Sequence, residues 1–265
     1  MTNRILRSTG LLACLLAPAS AALGHGGGGD IAVFETDGQV DVGFAILDDD
    51  DIEQVAFDPT DKVFQAVLTP LVGSPAFIPW DVGSSEPGYD ANETDLPAEA
   101  EIRWNTVAIS HWDGAGQVAF APTTAVEGGY APQPNLTDSL GGFHAHPTFG
   151  LSDLTDDGAP IADGVYLVEL TASVTGLADS DPFYLVTLVD NLVSSQADPV
   201  AAAEALGEAT RNFIDDPAAG APELGGKDFS FYADAIGYAE SLVIPEPGTA
   251  LLAAAALAAA AARRR

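Results

Sequence analysis

Two kinds of side chain are nearly missing from this 265-residue chain: thiols and cations. The one cysteine, Cys14, lies inside the N-terminal apolar stretch. If that stretch is removed on export, no disulfide, thiol nucleophile or cysteine-based zinc site remains. Lysine and arginine together number 9, against 39 aspartates and glutamates. Arg4, Arg7, Arg263, Arg264 and Arg265 belong to the two ends, which leaves Lys62, Arg103, Arg211 and Lys227 in the body. Four cations against 39 acids give that body a charge of about −35. Such a field excludes nucleic acid and an anionic membrane face as partners. It suits a solvated, aggregation-resistant surface, and it is compatible with cations or basic partners. The chain also contains no G-x-S-x-G elbow and no internal repeat.

What is present at the two ends is more specific. The opening, MTNRILRSTGLLACLLAPASAALG, has a basic start, a short apolar run from Leu11 to Ala17, and Ala19-Ser20-Ala21 as a small-residue cleavage site. That is the pattern of a secretory signal peptide over 1–22, with its signal helix, and it is too short for a stable span. Leu11-Leu12-Ala13-Cys14 has a faint likeness to a lipoprotein box, but the apolar run before Cys14 is too short for one. The other end reads Pro245-Glu246-Pro247, then a Leu/Ala run from Thr249 to Ala262, then Arg263 to Arg265. The run predicts a C-terminal hydrophobic helix shorter than the roughly 20 residues of a comfortable transmembrane helix. Its basic stop favours an end held at the cytoplasmic face. The three parts in this order resemble the PEP-CTERM sorting signal. That resemblance implies an exosortase-type sorting enzyme as partner, membrane anchoring through 245–265 before processing, and delivery to the cell surface or extracellular matrix of a Gram-negative bacterium.

Between the ends, alternation with period two dominates. Asp30 to Phe34 runs into Asp37-Gly38, a two-residue hairpin signal, and Val40, Val42, Phe44 and Ile46 form the return strand. Further strands are expected at Lys62 to Leu68, Ile102 to Ile109, Val165 to Val174 and Phe183 to Val189, the last nearly all apolar and therefore central. Asp113-Gly114 should turn the Trp104 strand into a partner at Gln117 to Phe120. The stretch from Thr69 to Ala100 reads as one long loop. Asp198-Pro199 is an N-cap followed by a first-turn proline, and Val200, Ala203, Leu206, Thr210 and Phe213 recur at helical spacing, so one late helix is expected over 199–213. The fold class is all-β, a β-sandwich of antiparallel strands over 25–217, with 218–244 as linker.

The candidate site begins with His144-Ala145-His146. On a strand, residues two apart point to one face, so these imidazoles can share an ion. Zinc takes about four ligands, so others must converge by folding. His111, before the Asp113-Gly114 turn, and His25, near the mature start, are the remaining histidines, with Asp30 as a nearby carboxylate. The pattern also fits a loop in which the histidines do nothing. The stretches EPGYDA (86–91), ISHWDG (109–114), GGFHAHPTFGL (141–151), GVYLVELTASV (164–174) and SDPFYLV (180–186) resemble secreted PEP-CTERM proteins repressed by the zinc-uptake regulator, and bacterial surface domains with a variable anchor. In those families an H-x-H segment precedes such a strand. The resemblance therefore implies metal binding, zinc first, at His144 and His146, with a looser match for His25 and Asp30.

Other constellations are weaker. Asp48 to Asp51 is an acidic hairpin tip rather than a calcium site, because consecutive strand residues face opposite ways. Asp153, Asp156 and Asp157 lack the spacing of an EF-hand loop. Ser110, His111 and Asp113 supply triad residue types, but as sequence neighbours. Trp80, Trp104 and Trp112 read as core, with a carbohydrate-stacking face as the alternative, so surface polysaccharide or matrix is a further possible partner. The expectation is a surface-sorted acidic binding protein that is not an enzyme. The alternatives are a metal-free structural or matrix component and, third, a metal-dependent hydrolase.

Overall fold

The computed structural model describes residues 30–46, 56–58, 60–73, 75–155 and 160–243. The expected signal peptide with Cys14, His25, the Asp48 to Asp51 run, Asp156 and Asp157, and the Pro-Glu-Pro tail lie outside them. The chain forms strands β1 (Ile31–Thr36), β2 (Gln39–Ile46), β3 (Ala56–Asp58), β4 (Val63–Val67), β5 (Thr69–Pro70), β6 (Val82–Ser84) and β7 (Tyr89–Ala91). Then come β8 (Glu101–Trp112), β9 (Ala121–Pro122), β10 (Val126–Ala131), β11 (Asn135–Leu136), β12 (Phe143–Ala145) and β13 (Thr148–Asp153). The last long strands are β14 (Gly164–Val174) and β15 (Phe183–Val189). Helices α1 (Asn191–Ser194), α2 (Pro199–Asp215) and α3 (Ser230–Val243) follow, with a small ladder of β16 (Glu223–Leu224) and β17 (Lys227–Asp228) between the last two.

The largest sheet has the order β11-β8-β14-β15-β4, and β9 pairs with β8. Two smaller sheets, β12-β7-β1-β2-β3 and β10-β13-β6-β5, complete a β-sandwich. Strand alternation builds two cores. Tyr166, Val168, Leu170 and Ala172 of β14 join Ile31, Val33, Val42 and Phe149 of the smaller sheets in one cluster. Val165 and Leu167 of β14, with Val186 and Leu188 of β15, join Leu206, Tyr232, Ile236 and Ala239 of the helices in the other. The largest sheet is thus covered on both faces. That explains why β15 is almost wholly apolar: Phe183, Leu185, Val186, Thr187 and Leu188 are all buried.

Several expectations need correction. The sandwich is not purely antiparallel, since β1 pairs with β7 and β15 with β4 in parallel. Those partners are far apart in sequence, so no hairpin fixes their direction. The Asp37-Gly38 hairpin forms, with Thr36 opposite Gln39 and positive φ at both turn residues. The Asp113-Gly114 turn is followed by irregular chain through Phe120, and the return strand starts only at Ala121. The 69–100 stretch holds three short strands, β5 to β7, that its proline and glycine content hid. The helix expected at 199–213 is α2, capped by the Asp198 carboxylate accepting from Ala201 N–H. The supposed linker at 218–244 contains α3, which packs on β15 and β4. Tyr232, Ala235, Ile236 and Ala239 recur there at helical spacing and are buried.

Tyr232 anchors α3. Its ring is fully buried, and its hydroxyl lies 2.9 Å from the carbonyl oxygens of Ala66 and Val186 on adjacent strands, to which it donates. Burial pushes its phenol well above the ordinary range, so it stays a donor. Tyr232→Phe should lower stability by about 1 to 3 kcal/mol in urea unfolding, since buried carbonyl oxygens lose a partner. Truncation after Phe229 should expose the apolar sheet face and yield aggregated protein by size-exclusion chromatography.

Candidate metal centre

The site lies on the outer face of the β12-β7-β1 sheet and follows from register. Ala32 pairs with Asp90 across β1 and β7, and Asp90 pairs with His144 across β7 and β12. Asp30 precedes Ala32 by two, and His146 follows His144 by two. Alternation therefore puts Asp30, Asp90, His144 and His146 on one face. The intervening residues turn inward: Ile31 and Tyr89 are fully buried in the sandwich core, with Phe143 packed against it.

Asp30 is 2% exposed and Asp90 6%. The two imidazoles above them reach solvent, at 61% exposure for His144 and 36% for His146. Asp30 Oδ1 accepts from Gly88 N–H at 2.9 Å. Its other oxygen, Oδ2, makes no hydrogen bond, and neither does Asp90 Oδ2. Asp30 Oδ2 lies 3.5 Å from His146 Nε2 and 3.8 Å from His144 Nδ1. The ligand atoms of Asp30, His144 and His146 all fall within 4.8 Å of one another. In a tetrahedral zinc site, ligand distances of about 2.0–2.1 Å place donor atoms roughly 3.3 Å apart. Asp30 Oδ2 is thus within about half an ångström of that spacing from a nitrogen of each histidine.

Two more carboxylates orient the histidines. Asp90 Oδ1 is 3.0 Å from His144 Nδ1, and Glu86 Oε1 is 3.2 Å from His146 Nδ1. Glu86 Oε1 can accept from His146 Nδ1–H, and in the neutral ring that leaves Nε2, the atom facing Asp30, as the acceptor. For His146 this is the usual support of a metal-ligating imidazole, a carboxylate behind the far nitrogen. Asp90 instead meets the same His144 nitrogen that faces Asp30, so that ring has to turn to offer an ion a free nitrogen. Burial raises the carboxyl of Asp30, opposed by His146 and the Gly88 hydrogen bond and reinforced by Asp90. Glu86 is raised for the same first reason. Gly88 is required by the fit: a Cβ there would sit 2.6 Å from His146 Nδ1 and 2.9 Å from Asp30 Oδ1.

Of the five expected ligands, Asp30, His144 and His146 come together, and His25 is outside the described residues. His111 is not in that group. It sits on β8, its Nε2 3.1 Å from the Asp163 carbonyl oxygen, its ring 4.6 Å from that of Tyr166 and over Gly164. Asp90 and Glu86 were not singled out in the sequence as site residues, because both lie in the stretch that reads as loop. The one available signal was Asp90 beside an aromatic residue in a short Tyr-Asp-Ala alternation. The Ser-His-Asp idea fails on placement, since the Asp113 carboxylate accepts from Ala115 N–H in its own turn. Trp104 and Trp112 are buried and offer no face to a sugar ring.

The fold is thus a β-sandwich with a helical layer on one side, carrying a His/Asp group that could hold a metal ion. Residues 243–265 match the PEP-CTERM protein-sorting motif. The chain therefore carries the signal of an exported, surface-sorted protein, anchored in the membrane and then processed by an exosortase. No curated protein sequence matches the chain. Among solved structures, the ASH/PapD-like domain of human CEP192 (PapD-like domain 7) is similar over 55% of this chain and 97% of that one, at 11% identity and a TM-score of 0.29. Among the described residues, no helix is long and apolar enough to cross a membrane.

Asp30 ionises at the expense of its buried setting. Its raised pKa means that the metal-free fold is favoured by protonation. That contribution is full below the ordinary carboxylate range and is lost as pH rises through the raised value. Asp30→Asn keeps the acceptor for Gly88 and removes the charge. Metal-free Asp30→Asn should melt about 2–4 °C above the parent at neutral pH. Its margin should shrink as pH falls into the carboxylate range, which thermal unfolding across pH would measure.

Proposed function

We propose that this protein is an exported, surface-sorted binding protein that captures a divalent transition metal, zinc first, through Asp30, His144 and His146. The observation that carries the reading is the buried Asp30 Oδ2, which has no hydrogen bond and faces two histidine nitrogens. A buried carboxylate is rarely left this way unless a cation completes it. Two imidazoles and one carboxylate suit zinc better than calcium or magnesium, which prefer oxygen. Asp90, 3.0 Å from His144 Nδ1, is a further carboxylate at the site, while His25, five residues ahead of Asp30, is a candidate fourth ligand. The likeness of the H-x-H segment to zinc-regulated surface proteins favours the same metal. The role is extracellular zinc capture or storage, without catalysis, and the sorting tail supplies delivery to the surface.

Calorimetry on the purified protein should give one tight zinc site per chain, abolished in the His144→Ala, His146→Ala double variant and unchanged in His111→Ala. Binding that survives the double variant, or no binding in the parent, would leave an acidic surface or matrix component instead. Gly88→Ala should push the His146 ring aside and weaken zinc binding roughly 10- to 100-fold, the range for a disturbed supporting shell.

A further inference from the structure

A cavity of about 390 Å³ lies on the helical side of the molecule, between the edge strand β4 and helix α2. Its volume is in the range that holds a small apolar ligand. Val63, Phe64, Leu71, Ala203, Ile214 and Ile236 supply apolar wall. The reason for the space is in α2. Ala203, Gly207 and Arg211 recur four apart, so one stripe of the helix carries two very small residues and then a guanidinium. The small residues hold the helix wall back from β4, and Arg211 closes the end of the stripe.

Among the polar groups that share this lining, two are buried and unmet. Gln65 lies between Val63 and Val67 on the helix-facing side of β4, and its Oε1 is buried with no hydrogen-bond partner. Arg211 Nε is also buried with none. The other three cations among the described residues are all engaged: Lys62 with Asp41, Arg103 with Glu101 and Lys227 with Asp190. A buried guanidinium N–H without an acceptor costs free energy in the folded protein unless something supplies one.

We propose that this cavity is a binding site for a single-chain apolar carboxylate, with its hydrocarbon against the β4 and α2 walls and its carboxylate on Arg211. The Gln65 amide can turn to present its N–H to the same head group. Asp61, Glu86 and Glu204 also line the cavity, and they would favour a cationic amphiphile instead. Glu86 and Glu204 are exposed and stay hydrated, and Asp61, half-buried, already accepts from Val63 N–H at 3.0 Å, whereas the Arg211 Nε–H is buried without an acceptor and acts at contact. The proposal is independent of the metal reading, although Glu86 and Pro87 line the cavity and Glu86 also touches His146.

The test is calorimetry of lauric acid, lauryl alcohol and laurylamine, each below its aggregation limit, against the full chain with a chelator present to keep the metal centre out. The expected result is one lauric acid per chain, bound about 10- to 100-fold more tightly than the alcohol, the range for a charged hydrogen bond. Arg211→Gln should bring acid and alcohol to equal affinity, and Ala203→Phe should abolish both by filling the cavity, with thermal unfolding confirming that each variant folds. No binding, equal binding of acid and alcohol, or preferred binding of the amine by the parent would each overturn the proposal. Those outcomes are read on the parent chain and do not depend on any variant folding.

Discussion

Tyr89 stacks on Trp104 with ring centroids 3.6 Å apart, and Tyr130 meets both rings edge-on or tilted. That contact ties β7, a strand of only three residues, to β8 in the opposite sheet of the sandwich. A strand so short has little ladder of its own to hold it, and aromatic packing supplies what the ladder lacks. Once Tyr89 is fixed inward, alternation forces Asp90 outward. β7 then serves as the template on which β1 and β12 align their own outward residues. The metal-centre geometry is therefore a consequence of core packing on the other side of the same sheet. The phenols at this junction are held far above their ordinary range by burial, so they bring no competing charge to the site.

The electrostatics run against intuition for so acidic a chain. Among the described residues most carboxylates are exposed to water. Asp30 and Asp90 are not, and they sit side by side under two neutral-capable imidazoles. Hydrogen bonds relieve only part of the penalty, since one oxygen of each remains unmet. The one cysteine is Cys14, so from residue 15 onward the chain has imidazole and carboxylate as its transition-metal ligands. Exposed histidines over buried carboxylates leave the centre open to solvent on one side, which suits exchange of an ion with the medium better than a closed structural site does.

The long period-two strands, the Asp37-Gly38 hairpin and the Asp198-capped helix were legible because each rests on local chemistry, whereas Gln117 to Phe120 was read as a strand and is irregular. The His144 and His146 pairing was legible for the same reason, and Asp30 as the carboxylate near His25. Asp90 and Glu86 were hidden, since a three-residue strand inside a Pro- and Gly-rich stretch has no period to read. His111 was equally invisible in its true setting: sequence puts it at a strand end, but only packing shows it filling the space over Gly164. Helix α3 was missed because its apolar spacing lies beside the sorting tail, where a linker was the natural expectation. What escaped the sequence is in each case tertiary, a partner supplied by a distant segment.

The most direct test of the metal centre is a crystal structure of the zinc-loaded protein with data collected on both sides of the zinc absorption edge. The account predicts one anomalous peak on the outer face of the β12-β7-β1 sheet, about 2.0–2.2 Å from Asp30 Oδ2, His146 Nε2 and a nitrogen of His144. A peak confined to surface carboxylates elsewhere, or none with zinc in excess, would contradict it.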